Sequence, residues 1–232
     1  MRAIFLIGIN FVRTQWIALA VMFVYVTGIS GVYRLHTQRE DLLFFLRWHA
    51  GYAIFLAIMM AVPALQTERK TRRILAVLSK GIYRWEYLGG ILCGCTIISA
   101  IFCLLIGSTA AWLGQQGGIA TDGLAAITLA IFCCCMAAAA MALFFATFLH
   151  PLPAMGAASV ILFLPFLLDR TGSHPWAFFP VASLIHTLWT TFQFRPVSGL
   201  PTLILMAIFQ ALACWIAASV IFARRDVTIS PE

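Results

Sequence analysis

Apolar stretches of about 17 to 25 residues, the length a helix needs to cross a bilayer, recur near residues 15–33, 43–65, 88–113, 124–148, 152–168 and 199–222. Short polar breaks such as RLHTQRED at 34–41 and GQQGG at 114–118 separate them. Within each stretch the apolar residues cover every face of a helix, the pattern of a segment surrounded by lipid or by other apolar helices. The pattern predicts an all-α membrane protein of six transmembrane helices, forming one transmembrane domain over residues 1–232.

Two further segments fit no span. In residues 1–14, Arg2, Asn10 and Arg13 fall within about 80° of one another on a helical wheel, while Ile4, Phe5, Ile7 and Phe11 lie mostly elsewhere. This is an amphipathic interface helix able to lie flat on the inner leaflet, the alternative being a ragged start to the first span. Its basic, apolar beginning resembles a signal peptide, but no small-residue cleavage site precedes the next polar break, so it is expected to remain in the mature protein. Between spans five and six, residues 169–198 include the apolar run PWAFFPVASLIHTLWTTF. Pro180 disfavours a helix starting earlier, and the roughly 14 residues left to Phe194 are too few to span. A re-entrant or interfacial segment is expected there, with Trp176 and Trp189 suited to the headgroup level.

Composition narrows the classes. Hydrophobic residues make up 62% of the chain and charged ones 10%, against about a quarter charged in soluble domains, which excludes one. The net charge of +7, from 15 Lys and Arg against eight Asp and Glu, is explained by basic flanks of the spans, and no nucleic-acid partner is expected. Ten of the basic residues (Arg2, Arg13, Arg69, Lys70, Arg72, Arg73, Lys80, Arg84, Arg224, Arg225) fall on one side and five (Arg34, Arg39, Arg47, Arg170, Arg195) on the other. By the positive-inside rule both termini are cytoplasmic, in the inner (plasma) membrane of a cell, with a cytoplasmic tail at 223–232. The loops at 34–42, 114–123 and 169–198 are then external; the turn at His150–Pro153 and the loop at 66–87 are internal.

That long inner loop carries TERKTRRILAVLSKGIYRWEYLGG at 67–90. On a helix Ile74, Leu75, Val77 and Leu78 form one apolar stripe, with Arg69, Arg72, Arg73 and Lys80 opposite. Gly81 stands where a C-terminal cap is expected, and Tyr83, Arg84 and Trp85 follow at headgroup level. One reading is a helix lying at an interface; the other is that the charges only fix topology.

At this point the chain resembles the permease subunits of type 2 ATP-binding-cassette exporters. Those proteins carry between spans two and three an acidic residue, a Gly-Thr-Leu step, Leu-Leu-Ser, Pro, Ser-Arg and an aromatic-Leu pair. The chain matches with Glu68, Ile74, Val77-Leu78-Ser79, Arg84, Glu86 and Tyr87-Leu88, and departs with Arg72-Arg73 for Gly-Thr, Gly81 for Pro and Tyr83 for Ser. IFARRDV at 221–227 is similar to the family's aromatic-x-Arg-Arg-Asp ending, and PWAFFPVASLIHTLW to its outer element between spans five and six. The resemblance implies a cytoplasmic coupling helix between spans two and three, with Glu68, Arg69, Arg72, Arg73, Leu75, Leu78, Arg84 and Glu86 as the residues coupling to an ATPase. It further implies a second permease copy, alike or merely similar, and a dimer of separate cytoplasmic ATPase subunits that bind ATP and Mg; this chain itself has no GxxxxGK[ST] loop. Export of a hydrophobic or amphipathic substrate follows from the resemblance alone.

The rival classes are a self-contained membrane enzyme and a secondary carrier. For an enzyme, the five histidines are scattered, no HExxH pairing occurs, and neither catalytic nor metal-ligating residues are assigned. Glu68 and Glu86 lie among arginines, where ion pairing or helix capping is the plainer use. For an ion-driven carrier, the span cores hold no Asp, Glu, Lys or Arg, with Arg47 and His49 near the outer end of the second. The seven cysteines sit in apolar runs and are expected to be reduced. Gly90-x-x-x-Gly94 and Ala137–Ala140 with Ala142 are expected to pack helices within this subunit.

Overall fold

Chains rich in Leu, Ile, Ala and Phe with few turn residues favour helix, and in hydrocarbon a helix satisfies its backbone groups within one segment. The computed structural model describes residues 2–33, 39–70, 82–116, 123–168, 180–190 and 199–224. They form α1 (Arg2–Thr14), α2 (Trp16–Tyr33), α3 (Arg39–Lys70), α4 (Arg84–Gln116), α5 (Leu124–Ala146), α6 (Pro151–Leu168), α7 (Pro180–Thr190) and α8 (Leu200–Arg224), and no strand occurs among them. By length and composition α3, α4, α5 and α8 are able to cross a bilayer, and α1 with α2, bent by 60° at Gln15, make a fifth candidate. Over its described side chains α6 is a shorter apolar helix, Pro151–Phe163. The architecture is that of an all-α, multi-pass membrane protein.

α5 is the axis. It packs against α3, α4, α6, α7 and α8, and 72% of its most apolar window is buried, against 22% for α8. Cys133–Cys135, Ala137–Ala140 and Ala142 are all buried. Because lipid tails are as apolar as side chains, helix association depends on close packing rather than on the hydrophobic effect, and small residues permit it. Hydroxyls within the helices bond back to their own helix: Thr96 donates to the Leu92 carbonyl at 2.7 Å, Thr128 to Leu124 at 2.9 Å and Ser219 to Trp215 at 2.8 Å. Such bonds let polar side chains sit in an apolar bundle without an orphaned group. All seven cysteines are free thiols, as expected.

The Gly90/Gly94 pair packs within the subunit, and its partner is α1. A Cβ on Gly90 would lie 2.6 Å from the Ile7 Cβ and Cγ2, and one on Gly94 2.6 Å from the Phe11 Cδ1 and 3.1 Å from the Gly8 carbonyl oxygen. Gly8 adds a reciprocal notch, where a Cβ would stand 3.3 Å from Cys93. The amphipathic N-terminal helix is therefore seated on the first half of α4 by three glycines, more intimately than a helix resting on a leaflet. Asn10 and Arg13 lie exposed on its outer side together with Phe5, Leu6 and Ile9. At the bend the backbone stays bonded, the Gln15 N–H donating to the Phe11 and Val12 carbonyls and the Leu19 N–H to Gln15. Arg2 opens α1; its side chain lies outside the described residues.

α7 begins at Pro180, a residue suited to the first helical turn because its missing N–H has no partner there anyway. The Val181 N–H donates to the Gln210 Oε1 of α8 at 3.0 Å, satisfying one free donor of that turn. Eleven residues reach about 16 Å, too short to cross. Val181, Leu184 and Ile185 are buried, and α7 packs on α5, α6 and α8. Gly199, at φ +89, occupies the left-handed region just before α8.

Replacing Gly90 or Gly94 with Ala should overpack the seam and cost about 1–3 kcal/mol. Gly28→Ala, where a Cβ meets nothing within 4 Å, should be neutral or slightly stabilising. Thermal unfolding of the purified protein in detergent checks this; equal midpoints for all three variants would remove the seam.

Candidate functional site

The described parts of the segments expected to face the cytoplasm lie at one end of the bundle. α3 ends there, and the Gln66 Nε2 donates to the Leu149 carbonyl in the turn between α5 and α6, at a long 3.5 Å. α4 starts there under α1, and α8 ends against it. The Arg84 Nη1 donates to the Phe222 and Ala223 carbonyls at 3.1 and 3.0 Å, across 138 residues of sequence. These are carbonyls of the last turn of α8, which have no intrahelical partner, and a guanidinium also opposes the negative end of the helix dipole.

Glu86 has an equally local role. Tyr83 is the residue before α4, Glu86 the third residue of that helix, and the Glu86 Oε2 accepts the Tyr83 backbone N–H at 3.3 Å. This is the reach-back half of a capping box, with a carboxylate near the positive helix end. The capping use weighed from sequence is present for Glu86, and Arg84 ties α4 to α8.

Around them lies a surface groove of about 480 Å³ lined by Tyr83, Arg84, Trp85, Trp215, Ser219 and Ala223 among others. Trp85 and Trp215 meet edge to face, with centroids 6.2 Å apart. Trp215 lies over Gly89, where a Cβ would stand 3.5 Å from its ring, and its buried Nε1–H has no hydrogen-bond partner among the described residues. Sequence reasoning did not single out Trp215 or Gln210; a lone polar or aromatic residue on an apolar run gives no sign of which distant helix it meets.

The other predicted coupling residues are only partly placed. Glu68 and Arg69 belong to the last turn of α3, which continues helically through Lys70, and their side chains lie outside the described residues. Arg72, Arg73, Leu75 and Leu78 lie outside the described residues altogether, as do residues 34–38, 117–122, 169–179 and 191–198 of the expected loops at 34–42, 114–123 and 169–198, and the tail from Arg225. Among the described residues, no group of three or more His, Cys, Asp or Glu is placed to hold a metal ion.

His49, placed by the sequence near the outer end of the second span, is buried. Its Nδ1–H donates to the Phe45 carbonyl at 2.7 Å, and its ring lies against Phe45 and Tyr25 with centroids 4.1 and 5.5 Å away. No family model, curated protein or solved structure matches this chain.

If Arg84 and Glu86 act as these contacts indicate, Arg84→Gln should lower the unfolding midpoint by an amount equivalent to about 1–3 kcal/mol. Glu86→Ala should cost about 0.5–2 kcal/mol, the usual value of a lost cap, while Glu86→Gln, which keeps an acceptor oxygen, should cost less. Detergent thermal unfolding reads all three, and unchanged midpoints would mean that neither contact stabilises the fold.

Proposed function

We propose that the chain is the permease subunit of a type 2 ATP-binding-cassette exporter, six-spanning with both termini in the cytoplasm of the inner (plasma) membrane. It works with a second permease copy and a dimer of cytoplasmic ATPase subunits, which bind ATP and Mg. The observation that carries the reading is the convergence, at one end of the bundle, of α1, both ends of the 66–87 segment and the last turn of α8. These are the segments whose sequence resembles the family's coupling loop and its aromatic-x-Arg-Arg-Asp ending.

The arrangement suits the mechanism. α3 and α4 are long, continuous helices joined through the 71–83 segment, so a displacement of that segment by a closing ATPase dimer would act on two rigid levers packed on the α5 axis. The bond from Arg84 to the end of α8 would carry the displacement to a third. The resemblance of residues 68–80 to a coupling helix supplies the docking face; export of an amphipathic or hydrophobic substrate rests on the resemblance alone. Against this stands a self-contained enzyme or carrier, which would be pure and active without any ATPase.

In membranes containing the ATPase, Arg72→Gln with Arg73→Gln should reduce ATPase co-purification or stimulated hydrolysis. A charged pair at a docking face contributes up to a few kcal/mol, so the loss should reach about tenfold or more. Leu78→Asp should be more severe, because it places a carboxylate on the apolar face. Topology reporters after Glu232 and near Gln116 should stay cytoplasmic and external. Wild-type association and hydrolysis in both variants would exclude residues 68–80 as the coupling helix.

A further inference from the structure

The glycine notches fix the depth of α1 as well as its partner. Along α1, Ile4 lies over Gly89 and Gly90, Gly8 over Cys93 and Phe11 over Gly94, so the two helices advance in the same direction. α4 is 33 residues long, or about 50 Å. Centred on a hydrocarbon core of about 30 Å, it enters that core near Gly90, which puts Gly94, and Phe11 with it, about 6 Å below the boundary. Arg13 follows Phe11 in the same direction and lies at least as deep. A helix flat on a leaflet would keep all its residues at one level. α1 is instead inclined, its start at the interface and its end among acyl chains, where the chain bends by 60° into α2.

Arg13 is the charge on that sunken end. It is exposed on the side of α1 turned away from α4, with Asn10 one turn before it, and neither side chain has a hydrogen-bond or ion-pair partner among the described residues. The plain use of an arginine in a last helical turn is on that turn's free carbonyls. Here the backbone has already taken them up: the Gln15 N–H donates to the Phe11 and Val12 carbonyls, and the Thr14 hydroxyl to Phe11 at 2.7 Å. The Cα–Cβ bond in a helix tilts toward the N-terminus, and in α1 the N-terminus is the shallow end. Arg13 is therefore directed back past Asn10 toward the headgroups. A cation within the hydrocarbon is costly, and it is accommodated by snorkelling and by drawing the interface inward. The first anionic group it meets on the way out is a lipid phosphate, onto which a guanidinium forks with two parallel bonds; the Asn10 amide adds a donor. Phe5, Ile9 and Trp16, 57%, 45% and 64% exposed, are the apolar residues beside this pair. Cation and apolar neighbours match the head and the tail of one lipid.

We propose that α1 is a wedge sunk in one leaflet, and that Arg13 with Asn10 binds the phosphate headgroup of an acidic lipid drawn inward to it. The inference rests on the seam between α1 and α4 and is independent of the permease reading; it holds whichever side of the membrane that end faces.

The test uses the full-length purified chain, without any ATPase, in phosphatidylcholine vesicles. These contain a minor fraction of a lipid with a photoactivatable acyl chain and either a phosphate-monoester or a choline headgroup. Adducts mapped by mass spectrometry should fall on residues 5–16, with the phosphate-headed lipid preferred by about fivefold, the value of one basic residue at a lipid surface. Arg13→Gln should abolish the preference, Arg13→Lys should keep part of it and Asn10→Leu should lower it. Arg224→Gln, which removes an exposed cation from the last turn of α8, should leave it intact. Depth is read from the fluorescence that Trp16→Phe removes, which bromine on the acyl chains should quench more than a quencher on the headgroup. Quenching mainly from the headgroup would lay α1 flat on the surface and overturn the wedge. Equal labelling by the two headgroups, or an undiminished preference in Arg13→Gln, would overturn the lipid site. A preference lost equally in Arg224→Gln would overturn it in favour of overall surface charge, and competition by inorganic phosphate in favour of a free anion.

Discussion

Close approach between helices in a medium that gives no hydrophobic reward for it is the constraint on which this fold depends. The lipid tails outside α5 are as apolar as the helices around it, so what holds the bundle is contact at short range and the internal satisfaction of polar groups. Small side chains supply the first: Cys133–Cys135 and Ala137–Ala140 let five helices gather on α5. On α4 the notches are deeper, because Gly90 and Gly94 receive Ile7 and Phe11, and Gly107 receives Thr128, whose hydroxyl would stand 2.9 Å from an added Cβ. One helix thereby accepts α1 near its start and α5 farther along.

The placement of chemistry follows from that packing. Once α1 is seated on the first half of α4, the N-terminus of α4 is fixed beside the C-terminus of α8, and Arg84 spans the gap to two carbonyls that would otherwise lack partners. Glu86 caps the same helix from within. The two residues of the proposed coupling set that are described with side chains thus belong to the framework, joining the segment before them to the bundle. That anchorage at the start of α4 is made of hydrogen bonds to helix termini, where backbone groups have no other partner.

α3 divides its faces. Inward, Phe45, Ile54 and Ile58 are buried and His49 bonds back to its own helix; outward, Phe44, Trp48, Tyr52 and Phe55 are exposed with Arg47 in a groove wall, Tyr52 also meeting Tyr25 of α2 edge to face at 5.6 Å. The aromatic spacing of four, four and three residues is visible in the sequence, but its direction is not, since the apolar residues of α3 surround it on all sides. Which face meets the bundle depends on residues far away, Phe163 of α6 among them.

The sequence by itself determined the helical membrane character, the positions of the long apolar helices, the short α7 beginning at Pro180 and the small-residue surfaces for close packing. Each of these depends on local quantities: segment length against bilayer thickness, proline geometry, and the absence of side-chain bulk. The capping use of Glu86 was legible too, because a cap acts over three residues. Only the tertiary structure decided that Gly90 and Gly94 receive α1, that Arg84 reaches the end of α8, that Trp215 lies over Gly89 and that His49 turns inward while Arg47 faces a groove. These are pairings between segments tens to more than a hundred residues apart. A uniformly apolar helix carries no stripe to announce its partners; they are chosen by shape, when all the helices pack at once.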